Sequence, residues 1–411
     1  MTLPDPTLNR TPHGSPIDND GPRIPLFTDE FTADPHSIYR EMRRRFGSLV
    51  PVELAPGVPA TLVIGYRTAV QILNDPEHFP ADPRIWQKTA PTDSPVLSML
   101  EWRPSAQRSA GLEHSRYREA DVAAIDAIDL HALHSLVERL AVPLINDFCQ
   151  AGQADLVAQY TAPLSAGAIN ALLGCPPEIG QRIVEGFGTL DGDQGDRVID
   201  EAAAELVRLK RTQPGDDLVS RLMAHPARLT DEEMLHQIVT LYRAGIEPEQ
   251  HLITNTLRLM LTDERFAGGL LGGALPSRDA LDEVLFTDPP SANFCVSYPR
   301  RPVLIDEVWL PAHQPVVVSL AACNNDPAVG ARQFADNRAH LAWSIGPHAC
   351  PARSAAYLIA QDAIDQLLDA LPEMRLAVPV SQLKWRHGPF LRALETLPVV
   401  FTPSPPLPLL F

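Results

Sequence analysis

The chain lacks the marks of several protein classes. No apolar run reaches the roughly 18 residues that a membrane span needs. The first residues, MTLPDPTLNRTPHGSP, show none of the basic, apolar and small-residue succession of a secretory signal. Five cysteines, Cys149, Cys175, Cys295, Cys323 and Cys350, form no CxxC pair and no disulfide-framework spacing. Reduced thiols are therefore expected, of which at most one needs a special role. Basic residues are too few to offset the acidic ones: 34 Lys and Arg stand against 51 Asp and Glu, a net charge of −17. That balance argues against a general nucleic-acid binder and against attraction to an anionic membrane. A soluble, cytoplasmic protein is expected.

What is present is a large apolar fraction, 45% of 411 residues, enough for a substantial core. The prolines are unevenly placed and enriched at the ends. Residues 1–26 and the tail PSPPLPLLF at 403–411 read as extended or poorly ordered, which leaves 27–402 as one folded domain. Between them helical patterns dominate, at 34–46, 66–75, 130–151, 155–174, 196–212, 230–261 and 353–371. Thr230 and Glu233 have the spacing of a capping box, and Pro248 is expected to interrupt the helix that follows. Strands are expected at 61–66, at 302–311 and 315–322 around a turn, and in a last hairpin within 380–402. The pattern predicts a mainly α fold with small β-sheets.

The densest chemistry lies in AHLAWSIGPHACPARSAAYLIAQDAI at 339–364. Cys350 falls in a loop with glycine and proline, just ahead of an amphipathic helix pattern. Free N–H groups and positive potential at a helix start favour thiolate over thiol. On the residues alone three readings stay open. Cys350 is a buried structural thiol, the usual fate of a free cysteine. Or it binds zinc with His348, although no second ligand pair is evident. Or it is a thiolate ligand of haem iron, where strong electron donation favours O–O cleavage.

Residues 343–352, W-S-I-G-P-H-A-C-P-A, resemble the haem-binding signature of the cytochrome P450 superfamily, F-G-x-G-x-H-x-C-x-G. Gly346, His348 and Cys350 match, and Trp343 keeps an aromatic. Ser344 and Ala352 stand where the signature has glycine, so an altered loop is expected. EHSRYREA at 113–120 resembles the family's H-x-x-x-R helix, with His114 and Arg118 one turn apart on one face. LPAHQPVVVSLAACNNDPAV (310–329) resembles its strand pair and short helix. LRALETLPVVF (391–401) resembles its C-terminal hairpin, which puts Leu391 at the substrate pocket.

The resemblance implies a single-domain cytochrome P450 fold over 27–402 and haem b (iron protoporphyrin IX) as cofactor. It makes Cys350 the axial iron ligand. It gives His114, Arg118 and His348 the propionates, paired donors suiting a carboxylate, and adds Gly346 and Trp343 to the cofactor site.

The pattern breaks in two places. The long helix carries RAGIEPEQ at 243–250, where the family reads A-G-x-(D/E)-T-(T/S). Ala244 and Gly245 match, and their small size implies close approach of the helix to the haem. Ile246 is expected to face the distal pocket, and Glu247 keeps the acid implied in proton delivery. Pro248 replaces the proton-delivering threonine. It has no hydroxyl and no N–H, and it removes a helical hydrogen bond, so a wider groove is expected. Glu249 is a candidate substitute acid, against the plainer reading of a charged helix face. In DEVLFTDPP (282–290), Glu283 matches the acid of the family's Glu-x-x-Arg pair, but Phe286 takes the place of the arginine. A lone buried carboxylate costs several kcal/mol. Glu283 is therefore expected to find another donor, with Arg332 and Arg338 as candidates, to face water or to take a proton. The combination resembles an atypical actinobacterial branch that lacks this arginine.

Two other features have plain readings. EMRRRF at 41–46 either meets an acidic ferredoxin or forms a solvated helix face, the commoner case. The glycines of FAGGLLGGALP (266–276) lack a phosphate-loop lysine and read as a connection. Three functions follow. The first is a monooxygenase that inserts one oxygen atom into a small apolar substrate, with electrons from ferredoxin and ferredoxin reductase; the lost threonine then predicts poor coupling. The second is a haem-binding but non-catalytic partner of a regulatory protein. The third is a peroxide-driven oxygenase.

Overall fold

The computed structural model describes residues 23–188, 192–266, 275–329 and 338–409. Arg332 and most of the glycine-rich segment lie outside them. The chain divides into two units. One comprises Met1–Ser115, Ser291–Cys350 and Trp385–Leu391, the other Arg116–Pro290, Pro351–Lys384 and Arg392–Phe411.

Alternation of side chains along short apolar strands organises the first unit. Its five-stranded sheet runs Ile24–Pro25, Leu49–Glu53, Pro59–Val63, Val316–Ser319, Asn293–Ser297 in spatial order. Successive strand residues point to opposite faces. Val50, Val52, Leu62 and Val317 accordingly enter one buried cluster, while Leu49, Val63, Val316 and Val318 enter another. Burial on both faces explains why these strands read as continuous apolar runs. The sheet begins inside the expected N-terminal extension. Ile24–Pro25 pair with Val52 and Glu53, and Arg23 Nη1 donates to the Ala60 carbonyl at 3.0 Å.

The segment 302–311 is a hairpin and not one strand. Val303–Ile305 pair with Val308–Leu310, and Asp306 and Glu307 turn the chain with φ of 47° and 61°. Two consecutive left-handed residues match the twist of the flanking strands. The Pro35–Phe46 helix starts as expected, with the Asp34 carboxylate accepting from the Ser37 N–H. Its arginines find separate partners. Arg43 Nη2 donates to the carbonyls of Ile64 (2.8 Å) and Ala322 (2.9 Å), Arg44 pairs with Glu41, and Arg45 lies over the Phe46 ring.

The second unit is helical. Its main elements are Leu130–Phe148, Ala162–Leu172 with a π-helical turn ahead of it at Val157–Thr161, Pro177–Gly188, Gly192–Thr212, Asp231–Thr262 and Arg353–Ala370. Both bonds of the capping box form: Thr230 Oγ1 accepts from the Glu233 N–H, and Glu233 accepts from the Thr230 N–H. Arg116 also grips Glu233 at 2.6 and 2.7 Å, holding its carboxyl down to about 2. The helix then continues through Pro248, contrary to the expected interruption. Fifteen of its residues are buried, so packing outweighs one lost backbone bond.

Of the hairpin expected within 380–402 the described residues form one rung, the Glu395 N–H donating to the Lys384 carbonyl at 2.9 Å. Pro398–Val400 instead pair with Gln153–Asp155 and Arg375–Leu376. The tail beyond them is extended and tied down. The Ser404 N–H donates to the Cys149 carbonyl, and Leu407 exchanges two hydrogen bonds with the Asn146 side chain. The architecture is mainly α with small sheets, and no described helix is long and apolar enough to cross a membrane.

Candidate functional site

The loop that carries Cys350 closes on itself through its own backbone. The Ser344 N–H donates to Leu341 O (2.7 Å), Ala349 N–H to Gly346 O (3.1 Å) and Cys350 N–H to Trp343 O (2.8 Å). Such a loop needs left-handed residues, and it has two. Gly346 takes φ +73°, and a Cβ there would collide with the Leu73 carbonyl oxygen. Ser344 takes φ +55°, a conformation that costs a non-glycine residue roughly 1–2 kcal/mol. Serine thus keeps the shape that glycine would adopt freely. Ala352 sits at φ −95°, ψ 14° as the residue before the Arg353–Ala370 helix, where no glycine is needed. With Ser344 and Ala352 in place, the loop still closes on its own backbone.

Within the first unit this loop brings His348 to His114. Their ring centroids are 4.1 Å apart at 39°. His114 is 7% exposed. The indole N–H of Trp343 is buried with no protein partner among the described residues, whereas Cys350 is only half-buried. A reachable thiol, two adjoining imidazoles and an unspent buried donor fit a large iron-bearing ring with acidic edge groups. Arg118 lies one turn beyond His114 in the Gly111–Asp126 helix, half-buried. Asp121 follows it, also buried. Burial pushes its carboxyl up to about 7 against the pull of Arg118.

Sequence patterns gave no sign of Cys295. It occupies a bulge between Phe294 and Val296 in the Asn293–Ser297 strand, with φ +54°. Bulges re-aim side chains beside functional sites. Burial pushes the Cys295 thiol up and the charge of Cys350 adds to this, while the Ser344 hydroxyl and Arg108 oppose it. Cys295 therefore belongs to the surroundings of the cysteine loop. Leu391 packs half-buried against the apolar cluster that contains Val50 and Leu62.

In the second unit the turn Ala244–Glu249 presents mixed faces. Ala244 is exposed, while Glu247 and Pro248 are half-buried. Gly245 packs against Ile169 of the Ala162–Leu172 helix, where a Cβ would lie 2.7 Å from Ile169 Cδ1. Its small size thus serves contact between two helices. Ile246, 7% exposed, shares a buried stripe with Tyr242, Glu249 and Ile253. Glu249 is no charged helix face. It is 5% exposed, and burial alone pushes its carboxyl well above the usual glutamate range.

Glu283 finds its donor in a residue that the sequence did not single out. Arg265 Nη2 donates to Glu283 Oε1 at 2.6 Å and to Asp263 Oδ2 at 2.6 Å. Asp263 and Glu283 together push the guanidinium up. Of the donors expected, Arg332 lies outside the described residues, and the described bond to Glu283 comes from Arg265.

No protein-family model matches the chain. It is 27% identical to cytochrome P450 107B1 of Saccharopolyspora erythraea, over 92% of this chain and 98% of that protein. It is 29% identical to the cytochrome P450 monooxygenase PikC of Streptomyces venezuelae, over 90% and 92%. Its fold matches the solved structure of CYP154C4 from Streptomyces sp. W2061 with a TM-score of 0.84 and 25% identity, covering 92% of this chain and 98% of that one. A haem-dependent oxygenase function in general follows from these relatives. The chain belongs to the cytochrome P450 superfamily and is an oxidoreductase of that type.

Proposed function

We propose that the chain is a haem-thiolate monooxygenase with altered proton delivery, acting on a small apolar substrate with electrons from ferredoxin and its reductase. The observation that carries this reading is the Cys350 loop, whose left-handed turns persist at Ser344 and Gly346 although the signature is broken. Cys350 would ligate the iron. His114, His348 and Arg118 would hold the propionates, and the Trp343 indole N–H is a further donor beside them. When bound, haem b supplies oxygen activation, which a thiolate ligand favours. Gly346 lets the loop lie against Leu73, fixing where the Cys350 sulfur stands. Glu247 would hold a proton on the long helix. Pro248 offers neither hydroxyl nor N–H, so it passes none on.

The missing hydroxyl sets the test. Product formed per NADPH consumed is measured with ferredoxin and ferredoxin reductase. Low coupling with loss to peroxide is expected, and tight coupling contradicts the account of Pro248. Product from peroxide alone points to the peroxide-driven reading. A protein that retains haem yet yields no product either way points to the non-catalytic, regulatory one.

A further inference from the structure

Two helices of the second unit run antiparallel past each other, and their contacts fix the register. Thr161, at the end of the π-helical turn, bonds Thr254 with hydroxyls 3.0 Å apart. Eight residues on, Ile169 meets Gly245, and Tyr242 donates to Asn170 Oδ1 at 2.7 Å. Ser165 lies one turn before Ile169 on the same face of its helix, and Glu249 lies one turn after Gly245 on the same face of the long helix. Because the helices are antiparallel, these two positions fall at the same level of the seam.

Both are shut away from solvent, Ser165 at 0% and Glu249 at 5% exposure. Ser165 Oγ and Glu249 Oε1 each lack a hydrogen-bond partner among the described residues. Leaving such groups unpaired costs about 1–3 kcal/mol each. Two unpaired polar atoms facing across a seam are the usual partners of an internal water, which needs two to four polar neighbours.

We propose that Ser165 and Glu249 form an internal hydration site that holds one water between the long helix and the Ala162–Leu172 helix, with Glu249 neutral. Burial raises the proton affinity of Glu249, and no cation among the described residues offsets it. The protonated carboxyl donates to the water, and the water donates to Ser165 Oγ. The site sits one residue past Pro248, beside the turn where the helix forgoes a backbone bond. It tethers the long helix where its own ladder is weakest.

Infrared difference spectroscopy of the full-length protein at pH 7 tests the proposal. A protonated-carboxyl band sensitive to deuterium should be present in the wild type and absent in Glu249→Gln. It should shift towards the frequency of a free carboxyl in Ser165→Ala. If Glu249→Gln fails to fold, Ser165→Ala alone carries the test through that band shift. Crystallographic density should show one solvent peak within hydrogen-bond distance of both residues. The absence of a carboxyl band, a band indifferent to Ser165→Ala, a direct Ser165–Glu249 bond or a bound cation would each overturn it.

Discussion

The cysteine loop and the proline turn of the long helix depart from the family pattern to a similar degree, yet the departures have opposite consequences. In the loop, Ser344 and Ala352 replace glycines, but Ser344 takes up φ +55° and Ala352 needs no special conformation. The loop closes on its own backbone and keeps its cysteine. In the long helix the backbone also survives, from Asp231 to Thr262. What is lost at Pro248 is a hydroxyl and an N–H, which no backbone course restores. A substitution at a shape-bearing position can be absorbed by strain, whereas one at a chemistry-bearing position must be replaced by another group.

The sharpest way to break this comparison is Gly346→Ala. If the loop depends on shape, the left-handed φ and the collision with Leu73 O should cost about 3 kcal/mol. Urea denaturation measures it, and a loss below 1 kcal/mol would show the loop to be pliable. Glu249→Gln probes the helix through pH. Glu249 keeps its proton when folded and loses it in the ordinary glutamate range when unfolded. Native stability should therefore fall as pH rises past that range. The glutamine variant lacks this loss, so its advantage should grow as pH rises from 5 to 8. A pH-independent difference contradicts the neutral state.

Arg265→Ala asks whether lost chemistry has been replaced. At Phe286 the family arginine is missing, but Arg265 reaches Glu283, whose side chain is 12% exposed. Because Arg265 is itself half-exposed, solvent screening limits the expected loss to about 1 kcal/mol by thermal denaturation. No change would leave Glu283 with a different donor. The smallest effect belongs to Ser344→Gly, which should relieve the left-handed strain and stabilise the protein by about 0.5 kcal/mol, since the unfolded chain gains freedom as well.

Local patterns made part of this molecule legible. The capping box at Thr230 and Glu233, the amphipathic Arg353–Ala370 helix and the Cys350 segment each depend on neighbours in sequence, and each forms. Cys350 and His348 stand two residues apart, so one loop suffices to place them together. The missed features depend on distant chain. Arg265 meets Glu283 across eighteen residues, and Thr161 meets Thr254 because two separate helices fall in register. Cys295 sits in a bulge that exists only once its strand pairs with Val316–Ser319. The turn at Asp306 and Glu307 was hidden inside an apolar run, since neither residue is a glycine that would mark it.

The role of Cys350 underlies the whole reading, and the absorption spectrum of the reduced, carbon monoxide-bound protein tests it most directly. A strongly red-shifted Soret band in the wild type, lost in Cys350→Ala, is the result expected of a thiolate ligand. A wild-type spectrum without that band, or one that persists in Cys350→Ala, would contradict it.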